Sequence, residues 1–177
     1  MPFPIYQLLS TIYYKMAFIL IDGYNLIGIS HSNLEKARNE IVRQLQQYSK
    51  IKAHEVTIVF DGWKEGGMDE TKIKSQDVTV IYSRLAENAD SVIKRIISES
   101  RAPWIVISSD REVSDHALRN DMAAVTSQEF ESRMLSALGE EDVYDFDDED
   151  ALPYSRKDGS RKLSKKDKKK IQALKKL

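Results

Sequence analysis

Continuous apolar runs alternate along this chain with segments whose apolar residues recur every three or four positions. Phe18–Ile21, Val56–Phe60, Val78–Tyr82, Trp104–Ile107 and Met122–Val125 are short and mostly rich in β-branched residues, as strands covered on both faces are. Residues 33–50 set Leu34, Ala37, Ile41, Leu45 and Tyr48 on one stripe, and 86–101 do the same with Ala89, Val92, Ile93, Ile96 and Ile97. Both spacings predict amphipathic helices. Asn33 is placed to cap the first, and Pro103 helps to end the second. A third helix is expected from the turn at 108–110 to about Asn120, and a last one from Ser127 to Leu138 with Gly139 as its stop. Phe130 stands where a capping box on Ser127 would want Glu. The Gly-containing stretch 62–72 reads as a loop. Strands alternating with helices predict an α/β fold, with a central, mainly parallel sheet of about five strands flanked by helices.

Length and charge divide the chain. Its 177 residues, 41% hydrophobic and 31% charged, suit one globular domain with a polar tail. We place that domain at 16–139. The net charge of -1 hides two opposed blocks: Glu140–Asp150 holds eight acids and no base, and Arg156–Leu177 holds eleven Lys or Arg against two Asp. Residues 140–177 therefore read as a flexible tail, acidic and then basic, whose basic part would attract polyanions. Residues 1–15 are apolar but carry no basic n-region, and they are too short to span a bilayer. Met16 directly precedes the first strand, so it is the expected natural start, with 1–15 an extension. There is no cysteine, which removes disulfides, thiolate zinc sites and cysteine nucleophiles and makes a cytoplasmic setting the default expectation. No membrane association is expected.

The candidate chemistry lies at the strand ends. Asp22 closes the first apolar run, Asp61 the second and Asp110 the fourth, while Asp90 opens the helix that follows the third. In a parallel α/β sheet these positions share the edge where ligands bind. Carboxylates gathered there repel one another unless a cation lies between them. DGYN at 22–25 adds an amide beside the first acid, and hard cations such as Mg²⁺ and Mn²⁺ take oxygen ligands. The same four residues also read as an ordinary Asx turn. Glu87 and Asp90 in a first helical turn oppose the helix macrodipole whether or not they bind metal. Ser109 and Asp110 are placed to cap a helix, to bind metal, or both. Asp115 follows about one turn later as an outer supporting position or a solvated one. Arg84, Lys94 and Arg111 are the expected contacts to substrate phosphates. Trp63 reads as packing under its loop. His31, His54 and His116 have no zinc spacing, and neither a phosphate-binding Gly-rich loop nor a nucleophile elbow is present.

Taken in order, LIDGYNLIG, VTIVFDGW, YSRLAENADSVIKR and VISSDREV resemble the YacP-like NYN branch of the PIN-like nuclease superfamily, from about Ala17 to Ala137. The resemblance implies a three-layer PIN-like domain with metal-dependent ribonuclease activity. Some members are associated with ribosomes and messenger RNA decay. The family's first-strand Asp and following Asn fall on Asp22 and Asn25, its second-strand Asp on Asp61, the Asp of its A-D-S element on Asp90, and its Ser-Asp pair on Ser109 and Asp110. The implied reaction is hydrolysis of RNA phosphodiester bonds, with endonucleolytic cleavage expected, by one or two Mg²⁺ or Mn²⁺ ions held by Asp22, Asp90, Asp110 and Asp61. The rival expectation is a non-catalytic RNA- or ribosome-binding module of the same fold. An aspartyl-nucleophile phosphohydrolase ranks last, because Tyr24 stands where its second Asp would be.

Overall fold

The computed structural model describes residues 16–28, 33–62, 68–139 and 164–177. Residues 1–15, most of the charged tail, His31 and Trp63 lie outside them, and so do the expectations placed on those residues. The strands are β1 (Phe18–Asp22), β2 (Glu55–Phe60), β3 (Thr71–Ser75), β4 (Val78–Tyr82), β5 (Trp104–Ile107) and β6 (Ala123–Val125). The helices are α1 (Gly23–Ile27), α2 (Leu34–Lys52), α3 (Ala89–Glu99), α4 (Arg111–Arg119), α5 (Ser127–Leu138) and α6 (Lys165–Lys176).

The strands form one six-stranded sheet in the order β3-β4-β2-β1-β5-β6, parallel except for β3. Central β1 is paired on both sides, with Asp22 level with Val59 of β2 and Ile21 level with Ile107 of β5. Alternate residues along each strand serve two cores. Ile19, Ile21, Ile58, Phe60 and Ile107 pack with residues of α2, α5 and α6, whereas Leu20, Val59, Ile81 and Val106 pack with residues of α3 and α4. Strands buried on both faces explain the unbroken apolar runs, and the result is the expected three-layer α/β sandwich.

The sixth strand, β3, is an antiparallel edge strand added to the five apolar runs, and only its Thr71 and Lys72 fall in the stretch read as loop. Every residue of TKIKS is exposed, so no burial pattern could mark it. DGYN is not a bare turn but opens the short helix α1. The N-cap of α5 is Thr126, one residue earlier than expected, and Glu129 completes the capping box that Phe130 could not. Finally, the tail read as flexible includes α6, which packs on the domain. Ala173, Leu174 and Leu177 are buried in the α2 and α5 core, while Lys165 and Lys169 pair with Asp121, and Lys170 pairs with Glu129. Tyr48 donates its hydroxyl to the Leu177 carbonyl at 3.0 Å, and His54 Nε2 lies 3.0 Å from the Lys176 carbonyl. A few apolar residues among many lysines suffice because they share one face.

Candidate active site

Asp22 ends β1 and caps α1. Its Oδ1 accepts the Asn25 backbone N–H at 3.2 Å and its Oδ2 the Ser108 hydroxyl at 3.2 Å. Helix α1 can start here only because Gly23 has no side chain. A Cβ at Gly23 would lie 2.3 Å from the Phe60 ring. Tyr24, packed edge-on against the same ring, accepts a hydrogen bond from buried Arg38 at 2.9 Å. Asp22 itself is 7% exposed. Burial pushes its carboxyl up to about 6, and the charges of Asp90 and Asp61 add to that, against the two hydrogen bonds that hold it down.

The other three acids are each tied to a helix start. Asp61, just past β2, accepts the Ala89 N–H at 2.5 Å and so fixes the first turn of α3. Asp90 follows in that turn, its pKa raised by partial burial and then by Asp110, with Lys94 opposing. Asp110 caps α4 by accepting from Glu112 and Val113, and its own N–H donates to Ser108 Oγ at 3.1 Å. Ser108 thus links Asp22 to Asp110. The four aspartates, from the end of β1, the residue after β2, the start of α3 and the β5–α4 junction, stand in one another's electric field at the carboxyl edge of the sheet. Among the described residues, however, no three carboxylate or imidazole groups are gathered closely enough to make a ready metal cage.

Asn25 joins two further segments. Its Oδ1 accepts the Ser109 N–H at 2.8 Å and the Ser127 hydroxyl at 2.6 Å, while Ser127 N–H donates to Ser109 Oγ at 3.2 Å. Its amide oxygen, read from the sequence as a cation ligand, is spent within the protein. Glu87 pairs with two cations, within 3.3 Å of Arg84 and 3.6 Å of Arg95. Lys94 pairs with Glu112 at 3.0 Å. Arg111 and Asp115 are exposed on α4.

Sequence reasoning passes over three serines. Ser108, buried, bridges Asp22 and Asp110. Ser83, also buried, accepts the Gly62 N–H and donates to the Glu87 carbonyl, tying the turn that carries Asp61 to the segment that leads into α3 and Asp90. Ser127 reads from the sequence only as a cap. Their one common signal is position, a hydroxyl within two residues of a strand end on the acidic edge.

The sequence profile of the YacP-like NYN domain matches residues 19–176. The chain belongs to that family. The match takes in α6, well past the Ala137 limit of the motifs, so the basic helix lies within the span that the YacP-like NYN domain covers. This family is part of the PIN-like nuclease class. Two crystal structures of Rae1 (YacP) from Bacillus subtilis share the fold. One matches with a TM-score of 0.57 and 22% identity over 70% of this chain and 76% of that one. The other, a tryptophan-to-leucine mutant of the same protein, gives 0.58 and 20% over 70% and 78%. No curated protein matches. In this YacP-like NYN domain the donors at the acidic edge are carboxylate oxygens under mutual repulsion, which fits a hard divalent cation. No described helix is long and apolar enough to cross a membrane.

Proposed function

We propose that this chain is a metal-dependent ribonuclease that hydrolyses RNA phosphodiester bonds, an endoribonuclease of RNA decay or processing that works in the cytoplasm with the ribosome as a partner. The observation that carries the reading is Asp22, a buried carboxylate kept within the field of Asp61 and Asp90 at the cost of a raised pKa. A carboxylate so placed is unfavourable for the fold alone, and perturbed acids at a ligand-binding edge mark function.

Asp22, Asp90 and Asp110, with Asp61, would hold one or two Mg²⁺ or Mn²⁺ ions. Such ions, when bound, acidify an attacking water and neutralise charge on the scissile phosphate. The chain's own residues prepare the place. Asp61 fixes the first turn of α3 through Ala89 and thereby sets Asp90. Ser108 orients both Asp22 and Asp110. Arg84, Lys94 and Arg111 supply positive charge for the RNA backbone, the first two while paired to Glu87 and Glu112. Glu87, Ser109 and Asp115 support rather than react.

The test is incubation of end-labelled RNA with purified protein in Mn²⁺, in Mg²⁺ and in EDTA, with product ends mapped, beside Asp22→Asn and Asp90→Asn. Cleavage by the wild type in a divalent ion, abolished by EDTA and by both substitutions, is the expected result. Normal cleavage by both variants would overturn it. A second reading, a non-catalytic RNA- or ribosome-binding module, is favoured by the lack of a ready cage among the described residues. It predicts RNA binding with no cleavage in any divalent ion.

A further inference from the structure

The amide of Asn25 has one end committed and one end open. Its oxygen takes the Ser109 backbone N–H and the Ser127 hydroxyl. A backbone N–H can only donate, so the atom facing it must be oxygen, which fixes the orientation of the amide. A carbonyl oxygen has two lone pairs, and both are in use. The NH₂ group has no protein acceptor among the described residues, and the only buried side-chain nitrogen or oxygen without a partner there is Trp104 Nε1. The Asn25 NH₂ group is therefore open to solvent. Two unspent donors stand next to Asp22, which holds the Asn25 backbone N–H.

We propose that Asn25 binds substrate through this NH₂ group, donating to a non-bridging oxygen of the phosphodiester backbone, and that its oxygen serves the fold and not a cation. The identity of the ligand rests on the ribonuclease reading above. A phosphate approaching Asp22, Asp61, Asp90 and Asp110 meets like charge. A lysine or arginine placed among those acids would be captured by them, as Glu87 captures Arg84 and Arg95. A neutral donor avoids that capture and still offers hydrogen bonds to an anion. Ser109 and Ser127 come from two other segments and aim it, so the donor is preorganised.

Asn25→Asp keeps the shape and an acceptor for Ser109 and Ser127 but removes both donors; Asn25→Leu removes them without adding charge. The affinity of the full chain for fluorescein-labelled single-stranded RNA is measured in EDTA and in Ca²⁺, that for single-stranded DNA of the same sequence alongside, and Mn²⁺ affinity by calorimetry. Both variants are expected to bind RNA and DNA about tenfold more weakly, the loss of one or two hydrogen bonds, with Asn25→Leu binding Mn²⁺ within about twofold of the wild type. RNA affinity of Asn25→Asp equal to the wild type overturns the proposal, as does a loss in the Asp variant alone, which would be charge repulsion. Loss of Mn²⁺ binding in the Leu variant, or a penalty confined to RNA that points to the 2′-hydroxyl, overturns it too. If Asn25→Leu does not fold, Asn25→Ala, also neutral and without donors, takes its place under the same criteria. A wild type that cuts no RNA in any divalent ion counts against the ribonuclease reading alone, since the donor role is read from binding.

Discussion

Asp22 is 7% exposed and lies in the field of Asp90 and Asp61, so without a cation its carboxyl is pushed up to about 6 from an ordinary value of 3.8. A folded pKa above the unfolded one favours the protonated form. The contribution of Asp22 to stability is thus full below pH 3.8 and is lost as pH rises through about 6. Asp22→Asn, neutral at every pH, is expected to stabilise the protein in EDTA by about 1–3 kcal/mol at pH 8, with the gain gone at pH 4. Thermal melts at the two pH values check this, and an unchanged or lower Tm at pH 8 refutes it. Gly23 is the second residue with no freedom. Gly23→Ala drives a methyl into the Phe60 ring and should cost about 1–3 kcal/mol in urea denaturation, with Phe60→Leu recovering part of the loss in the double variant. The acids were legible from their places after apolar runs. Ser108 and Ser83 were not, because a serine near a strand end is ordinary until its partners are known.

Among elements, α6 shows how little apolar surface anchors a basic helix. Leu174 is 8% exposed within the α2 and α5 core. Leu174→Ala is expected to destabilise the domain by about 2 kcal/mol, near the lower end for such truncations, as a drop in the urea midpoint with an unchanged slope. The ion pairs of α6 are weaker anchors. Hydrogen bonds from Lys169 and Lys165 hold the Asp121 carboxyl down to about 2. A depressed folded pKa contributes stability above pH 3.8 that is lost as pH falls through about 2, so a difference between wild type and Asp121→Asn should vanish toward pH 2. Because Asp121 is fully exposed, raising salt to about 1 M should erase most of that difference at neutral pH as well. The buried strands and the helices α2 to α5 were legible because their periodicities follow from burial. Strand β3 and helix α6 were hidden for opposite reasons: one buries nothing, and the other buries one narrow face within a run of lysines.

At the scale of the whole molecule, the parallel sheet sets the ends of β1, β2 and β5 along one edge, and the start of α3 joins them there. If RNA is held by lysines and arginines around that edge, its affinity should fall linearly in log–log terms with salt concentration, and Arg111→Gln should shallow the slope by about one unit. Fluorescence anisotropy across a salt series measures this, and a salt-independent affinity would refute backbone binding. The sequence by itself determined the layers and the positions of the four aspartates at strand and helix ends, since burial on two faces and strand-end position are written in local periodicity; the central place of β1 came from the sheet order. Only the tertiary structure decided which way the Asn25 amide faces, that Glu87 is given to Arg84 and Arg95, and that α6 closes the α2 face. Those outcomes depend on partners distant in the chain, Ser109 and Ser127 for Asn25 and Tyr48 for Leu177, and no local pattern encodes which distant group will be met.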